Sequence, residues 1–141
     1  MAQKLVRMTL AVLFAAGAVV VVGGGASTAQ DKKTPTIKEI MKLGHAGADA
    51  YLGKTGAAVK GGKWEDAAKS AKALDDNAAL LEKATPKKGE AASWAELTKK
   101  YLGNTTALVE AIDKKDADAA KTAFGALQGS CKECHVVHKG K

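Results

Sequence analysis

Residues 116–138 read DADAAKTAFGALQGSCKECHVVH and contain both cysteines of the chain. Steps of three and four, which place side chains on one face of an α-helix, separate Ala120, Phe124, Leu127, Cys131, Cys134 and His138. Asp116 and Asp118 suit the positive N-terminal end of such a helix, and Lys139 and Lys141 suit its negative C-terminal end. The pattern predicts a helix from about Asp116 to His138.

The end of this helix carries the spacing C-x-x-C-H, formed by Cys131, Cys134 and His135. This spacing is typical of covalent attachment of a c-type haem. Residues three apart share a helix face, so two thiols can reach the two vinyl groups on one edge of a porphyrin, and the adjacent imidazole can bind iron. The sequence predicts one haem c per chain, held by Cys131 and Cys134, with His135 as the proximal iron ligand.

Three other uses of these cysteines stay open from the residues alone. A disulfide between Cys131 and Cys134 would close a small, strained loop. A thioredoxin-like dithiol needs a strand leading into the helix. A zinc site that uses the two cysteines with His135 or His138 lacks the distant second pair of ligands.

Three segments upstream show the same helical spacing of apolar residues. They run from about Pro35 to Lys60, from Lys63 to Ala84 and from Glu90 to Lys114. Thr34 suits the N-cap of the first segment, with Pro35 at its first helical position. No segment alternates with a period of two. We therefore expect an all-α fold, an antiparallel up-and-down four-helix bundle with the haem near the C-terminus of the fourth helix.

The faces that would form the core of this bundle contain many alanines and glycines. A small domain with such a core is marginally stable. We expect the haem to supply part of the buried apolar surface and the haem-free chain to be loosely packed.

Residues 1–29 are predicted to be a secretory signal peptide. Lys4 and Arg7 precede an uncharged apolar run from Met8 to Val22, and small residues follow it, ending at Ala29. The run is shorter than the ~20 apolar residues that span a bilayer comfortably, so cleavage is favoured over an anchor. Residues 30–141 would then form one exported domain, in the compartment where haem is attached.

The charge pattern limits the classes of function. The formal net charge is +7, but lysines alternate with acidic residues, and Arg7 is the only arginine. A nucleic-acid binder would need a dense basic stripe. No catalytic triad, phosphate loop or carboxylate pair is present, so the sequence predicts no enzyme. The excess of lysine suits an acidic redox partner.

With the motif on the last of four helices, residues 34–141 resemble the class II c-type cytochromes, the cytochrome c prime family. The resemblance implies that the first helix supplies the residue on the other face of the haem. In the low-spin branch this residue is a methionine, in a stretch similar to Ile37-Lys38-Glu39-Ile40-Met41-Lys42. In the high-spin branch no residue ligates there. The resemblance also implies that a dimer is plausible.

The chain departs from this family at two places. Members often carry an arginine on the first helix and another just after the haem-binding histidine. Residues 30–141 contain no arginine, and His138 and Lys139 stand where an aromatic residue and an arginine are common. The departures concern the charges at the haem edge and leave the attachment motif intact.

The sixth iron ligand has three possibilities. Met41 is the first, because it is the only methionine of residues 30–141 and lies on an apolar face, although a methionine there can simply fill the core. His45 is the alternative, one turn further along the same face. The third possibility is no ligand. His138 is expected at the surface, and Trp64 and Trp94 are expected to pack.

The sequence therefore predicts a periplasmic monohaem cytochrome that carries single electrons, with iron held by His135 and Met41. Its partners would be redox proteins. A five-coordinate protein that binds NO or CO in an apolar pocket formed by Ile37, Ile40 and Met41 is the alternative. A non-haem protein that uses the dithiol or a metal is a third reading.

Overall fold

The computed structural model describes residues 34–139, which form five α-helices and no strand. The helices are α1 (Ile37–His45), α2 (Tyr51–Lys60), α3 (Trp64–Glu82), α4 (Ala91–Asp113) and α5 (Ala117–His138). The predicted all-α class is confirmed for this range. None of these helices has the length and apolar content needed to cross a bilayer. The predicted signal peptide lies outside the described residues.

The predicted first helix, 35–60, is wrong as one element, since it is divided into α1 and α2. Gly47 has a φ of +89°, a left-handed conformation that glycine adopts without a Cβ clash. Its N–H donates to the carbonyl of His45 at 3.0 Å and turns the chain. Ala48, which lies between α1 and α2, is exposed. The spacing of apolar residues runs through this break, which is why periodicity did not reveal it.

The start of α1 also differs from the prediction, since Thr36 rather than Thr34 is the N-cap. Thr36 and Glu39 form a capping box, in which the N–H of Thr36 donates to Glu39 Oε2 at 2.7 Å. The N–H of Glu39 in turn donates to Thr36 Oγ1 at 3.3 Å. A glutamate three residues after a threonine is the signal for this arrangement, and it places Pro35 outside the helix.

The other helix ends lie within two residues of their predicted positions. Gly61 and Gly62 end α2, and Gly62 has a φ of +65°. The loop between α3 and α4 contains Gly89, which has a φ of +84°. Asp116 caps α5 by accepting a hydrogen bond from the N–H of Ala119 at 2.9 Å.

The core is formed where α3 packs on α4, α4 on α5, and α2 on α3, while α1 lies against α3 and α2. Its largest fully buried apolar side chains are Ile40, Leu74, Leu108, Ile112 and Leu127. Alanine makes up half of the buried apolar residues of the described range. Such short side chains let helices approach closely but bury little surface each.

Polar contacts between helices fix their relative positions. Asn77 Nδ2 donates to the carbonyl of Ile40 at 2.9 Å and ties α3 to α1. Trp94 Nε1 donates to the carbonyl of Leu81 at 3.0 Å and ties α4 to α3. Within residues 34–139 every buried side-chain nitrogen and oxygen has a hydrogen-bond partner, as expected of a well-formed interior.

Candidate haem site

A cavity of about 1110 Å³ lies between α1, α4, α5 and the loop after α3. Its apolar walls consist of Ile37, Met41, Leu52, Leu81, Trp94 and Leu97. The volume slightly exceeds the ~300–1,000 Å³ usual for small-molecule sites. The cavity is therefore large enough for a prosthetic group of porphyrin size, and its walls suit an apolar ring.

The α5 wall of the cavity carries the attachment motif. Cys131, Cys134 and His135 all line it, so the structure brings the three predicted residues to one site. Both cysteines are half-buried free thiols, and His135 is exposed. Burial raises the pKa of the Cys131 thiol, and burial and the nearby Cys131 raise the pKa of Cys134. Both sulfurs are therefore kept protonated at neutral pH.

The α1 wall carries the two residues predicted as alternative sixth ligands. Met41 and His45 both line the cavity and are one helical turn apart on α1. They come from the first helix of the described range, whereas the motif is on the last. Met41 is half-buried and also packs against the core. The structure thus places a thioether and an imidazole at the same cavity as Cys131, Cys134 and His135.

His45 has a partner that the sequence did not identify. Its Nε2 lies 2.6 Å from the phenol oxygen of Tyr101, and the two rings meet edge to face with centroids 5.7 Å apart. Burial, and then the charge of His135, lower the pKa of His45. The imidazole is therefore neutral at neutral pH.

Tyr101 lies in the predicted helical segment from Glu90 to Lys114 and was not predicted to belong to the site. It is 7% exposed, lines the cavity, and has a pKa raised mainly by burial. A buried tyrosine needs a hydrogen-bond partner for its hydroxyl. That requirement was the one signal in the sequence, but it does not say which residue the partner is.

His138, expected at the surface, is buried and only 8% exposed. Its Nδ1 donates to the carbonyl of Lys88 at 2.7 Å, and its Nε2 lies 3.0 Å from Ser93 Oγ. Its ring meets Trp94 edge to face at 5.1 Å. The loop after α3 folds over the end of α5 and covers this histidine. A Cβ at Gly89 would stand 2.5 Å from His138 Nδ1, so this close approach needs glycine.

The rim of the cavity is positively charged. Four exposed lysines line it, which we call the lysine rim: Lys38, Lys83, Lys87 and Lys139. No aspartate or glutamate of the described range lines the same cavity. Glu133, inside the motif, is paired with Lys100 at 2.7 Å. Val136, just after the motif, is 70% exposed.

The set of donors at the cavity fits a c-type haem. Two thiols three residues apart with an adjacent imidazole suit covalent attachment, and imidazole and thioether are both ligands that haem iron takes. Within residues 34–139, no group of three histidine, cysteine, aspartate or glutamate side chains is arranged to hold a bare metal ion.

Comparison with protein-family models, with curated proteins and with solved structures finds no significant match to this chain. The resemblance to class II c-type cytochromes therefore rests on the motif, the order of the helices and the position of Met41.

Proposed function

We propose that this protein is an exported electron-transfer protein of the class II c-type cytochrome kind, with one covalently bound haem c per chain. One observation carries the proposal: a single large apolar cavity is lined by Cys131, Cys134 and His135 from α5 and by Met41 from α1. Attachment residues and candidate ligands come from opposite ends of the described chain and meet only through the fold.

Each residue has a distinct task in this proposal. Cys131 and Cys134 would hold the haem through thioether bonds, each formed by addition of a thiol across a vinyl double bond, with the thiol hydrogen passing to the neighbouring carbon. His135 and Met41, which line the same cavity, would hold the iron. Bound haem supplies a one-electron Fe(III)/Fe(II) couple, and histidine with methionine raises its potential. The leucine and isoleucine walls exclude water.

The proposed fold is an antiparallel up-and-down bundle in which α1 and α2 together take the place of one helix. Along α4 and α5, Lys100 pairs with Glu133, and Asn104 Nδ2 donates to the carbonyl of Ala126. As one sequence number rises the other falls, which is the pattern of antiparallel neighbours. The same opposite progression links α3 to α4 through the contacts 81–94 and 75–105.

The proposed partner is a redox protein with an acidic surface, met in the periplasm. The lysine rim surrounds the cavity with no lining carboxylate among the described residues, and the exposed Val136 offers apolar contact beside it. Opposite charges steer association and fix its orientation. Electrons would leave through the haem edge near the end of α5.

The test is the visible spectrum of the oxidised and reduced protein, expressed with haem-attachment machinery. We expect a Soret band that survives denaturation, and a low-spin spectrum with a methionine-to-iron charge-transfer band. Met41→Ala should convert the iron to high spin. Ile37→Ala is the matched control, since it shortens another α1 side chain of the same cavity and removes no ligand.

Each alternative has its own outcome in this test. Absence of a Soret band would reject the proposal in favour of a dithiol or non-haem metal protein. A low-spin spectrum that Met41→Ala leaves unchanged would assign the ligand to His45.

Binding of a diatomic gas is the second candidate function. The observation that favours it is the apolar α1 wall, although its composition differs from the prediction. Ile37 and Met41 line the cavity with Leu52, whereas Ile40 is fully buried against the core and does not. A high-spin, five-coordinate spectrum in the unmodified protein, followed by CO binding, would support this candidate.

A further inference from the structure

The α1 wall presents two residues that can bind iron, yet one of them is already engaged. His45 Nε2 is joined to the Tyr101 hydroxyl at 2.6 Å. We propose that Tyr101 is a positioning residue that holds His45 away from the iron and so makes Met41 the sixth ligand. This inference rests on the proposed function.

The bond engages Nε2, one of the two ring nitrogens through which histidine binds a metal. If Nε2 accepts the phenol proton, its lone pair is occupied, and if Nε2 carries its own proton, it has no lone pair for a metal. His45 offers an imidazole of the kind that binds haem iron, and its 2.6 Å contact with the Tyr101 hydroxyl withholds it.

The fold also makes the contact hard to release. Tyr101 is 7% exposed, so a departing His45 would leave the phenol unpaired in a buried position, which is unfavourable. Edge-to-face packing of the two rings would be lost in the same movement.

Two contacts anchor α1 on either side of Met41. Before it, the Ile40 carbonyl accepts from Asn77 Nδ2 in the buried interior at 2.9 Å. After it, the helix ends at His45, which is held by Tyr101. Gly44 lies between them, where an added Cβ would stand 3.0 Å from Asn77 Nδ2. These contacts fix the rotation of α1 and keep Met41 on the cavity wall.

The test is Tyr101→Phe in the haem-attached protein, since phenylalanine keeps the ring and removes only the hydroxyl. The variant has no hydroxyl that release of His45 would leave unpaired, so this release costs less free energy. The ratio of His45-ligated to Met41-ligated iron should therefore rise ~10- to 100-fold. The readouts are loss of the methionine-to-iron charge-transfer band with retained low spin, and a lower reduction potential.

The double variant Tyr101→Phe/His45→Gln separates ligand exchange from structural damage. With no imidazole to compete, it should regain the charge-transfer band, and His45→Gln alone should keep it. A double variant that fails to recover the band would show a merely structural role for Tyr101 and overturn the inference.

Failure of this inference can be told from failure of the proposed function. A charge-transfer band that survives Tyr101→Phe unchanged overturns the inference alone. A wild-type protein without a Soret band overturns the proposed function and the inference with it.

Discussion

The two ends of this molecule bury apolar side chains to very different degrees. In the closed core, defined here as Leu74, Leu108, Ile112 and Leu127, each side chain is at most 1% exposed. At the cavity end, defined as Ile37, Met41, Leu52, Leu97 and Cys134, the side chains are half-buried and line the cavity.

Both α4 and α5 contribute side chains to each region, so the difference does not come from the helix propensity of these two elements. In the closed core the large aliphatic side chains are fully buried between the helices, where protein interiors are close-packed. At the cavity end α1 is only 9 residues long and breaks at Gly47. Its walls need a further apolar surface to complete the packing, which the proposed haem would supply.

Matched leucine truncations give the largest expected effect. Leu108→Ala in the closed core should lower the free energy of unfolding by about 2–5 kcal/mol, with or without haem, because it leaves a buried void. Leu97→Ala at the cavity end should have a much smaller effect in the haem-free chain, where the side chain is half-buried, and a larger effect once haem is attached. Guanidinium denaturation followed by circular dichroism measures both.

The haem-free form for this comparison is Cys131→Ser/Cys134→Ser, which keeps the sulfur positions polar and similar in size. Equal losses for both leucine variants in that form would show that the cavity end closes without haem. A cooperative thermal transition with the same midpoint in the haem-free and haem-attached proteins would lead to the same conclusion, against a core that depends on the cofactor.

Hydrophobic periodicity correctly predicted which segments are helical, but it did not predict that the first of them is divided into two helices. The ends of α3, α4 and α5 lie close to their predicted positions because glycine, proline and aspartate mark them. The break at Gly47 was missed because Gly44 and Leu52, on either side, keep helical spacing across it. Whether a glycine adopts a positive φ depends on what the flanking helices pack against, which the local sequence does not contain.

The second expected difference between the two regions is a pH dependence of stability, because the titratable His45 lines the cavity. Burial lowers the pKa of His45 in the folded chain below the ordinary 6.5. Between the folded pKa and about 6.5, His45 is therefore mostly protonated in the unfolded chain and mostly neutral in the folded chain. Stability is then full above about 6.5 and falls as the pH drops through that value toward the folded pKa.

Denaturation of the haem-attached protein from about pH 7 to about pH 5, a range that spans the ordinary histidine pKa, tests this. His45→Gln should give a flatter profile than the wild type. Identical slopes in the two proteins would mean that His45 does not contribute to the pH dependence of stability.

The proposed attachment residues Cys131, Cys134 and His135 could be identified as candidates from the sequence because they are neighbours in it. Tyr101 and the buried state of His138 could not, since each depends on a contact between segments far apart in the chain. His45 meets Tyr101 across 56 positions, and His138 meets Lys88 across 50. Short-range patterns identify chemistry carried by neighbours, whereas contacts that orient a site arise from packing.

The smallest expected effect concerns the lysine rim, which only the cavity end possesses. Reduced protein should be oxidised faster by the hexacyanoferrate(III) anion at low salt, where the screening length is ~30 Å, than at ~0.15 M, where it is ~8 Å. Lys87→Gln/Lys139→Gln should lower the low-salt rate about three- to ten-fold, because the rim raises the local concentration of anions.

Lys114→Gln/Lys121→Gln removes the same charge from exposed lysines at the other end of α5 and is the matched control for the rim. His135 lies 14 positions beyond Lys121, a distance of ~21 Å along a helix. This distance is within the low-salt screening length of ~30 Å, so the control should also lower the low-salt rate, but less than the rim variant does. Near-equal rates for the two double variants would show that net charge alone attracts the anion. A clearly larger loss in the rim variant, with an unchanged visible spectrum, would instead place the site of electron exit at the cavity end and support docking of an acidic partner there.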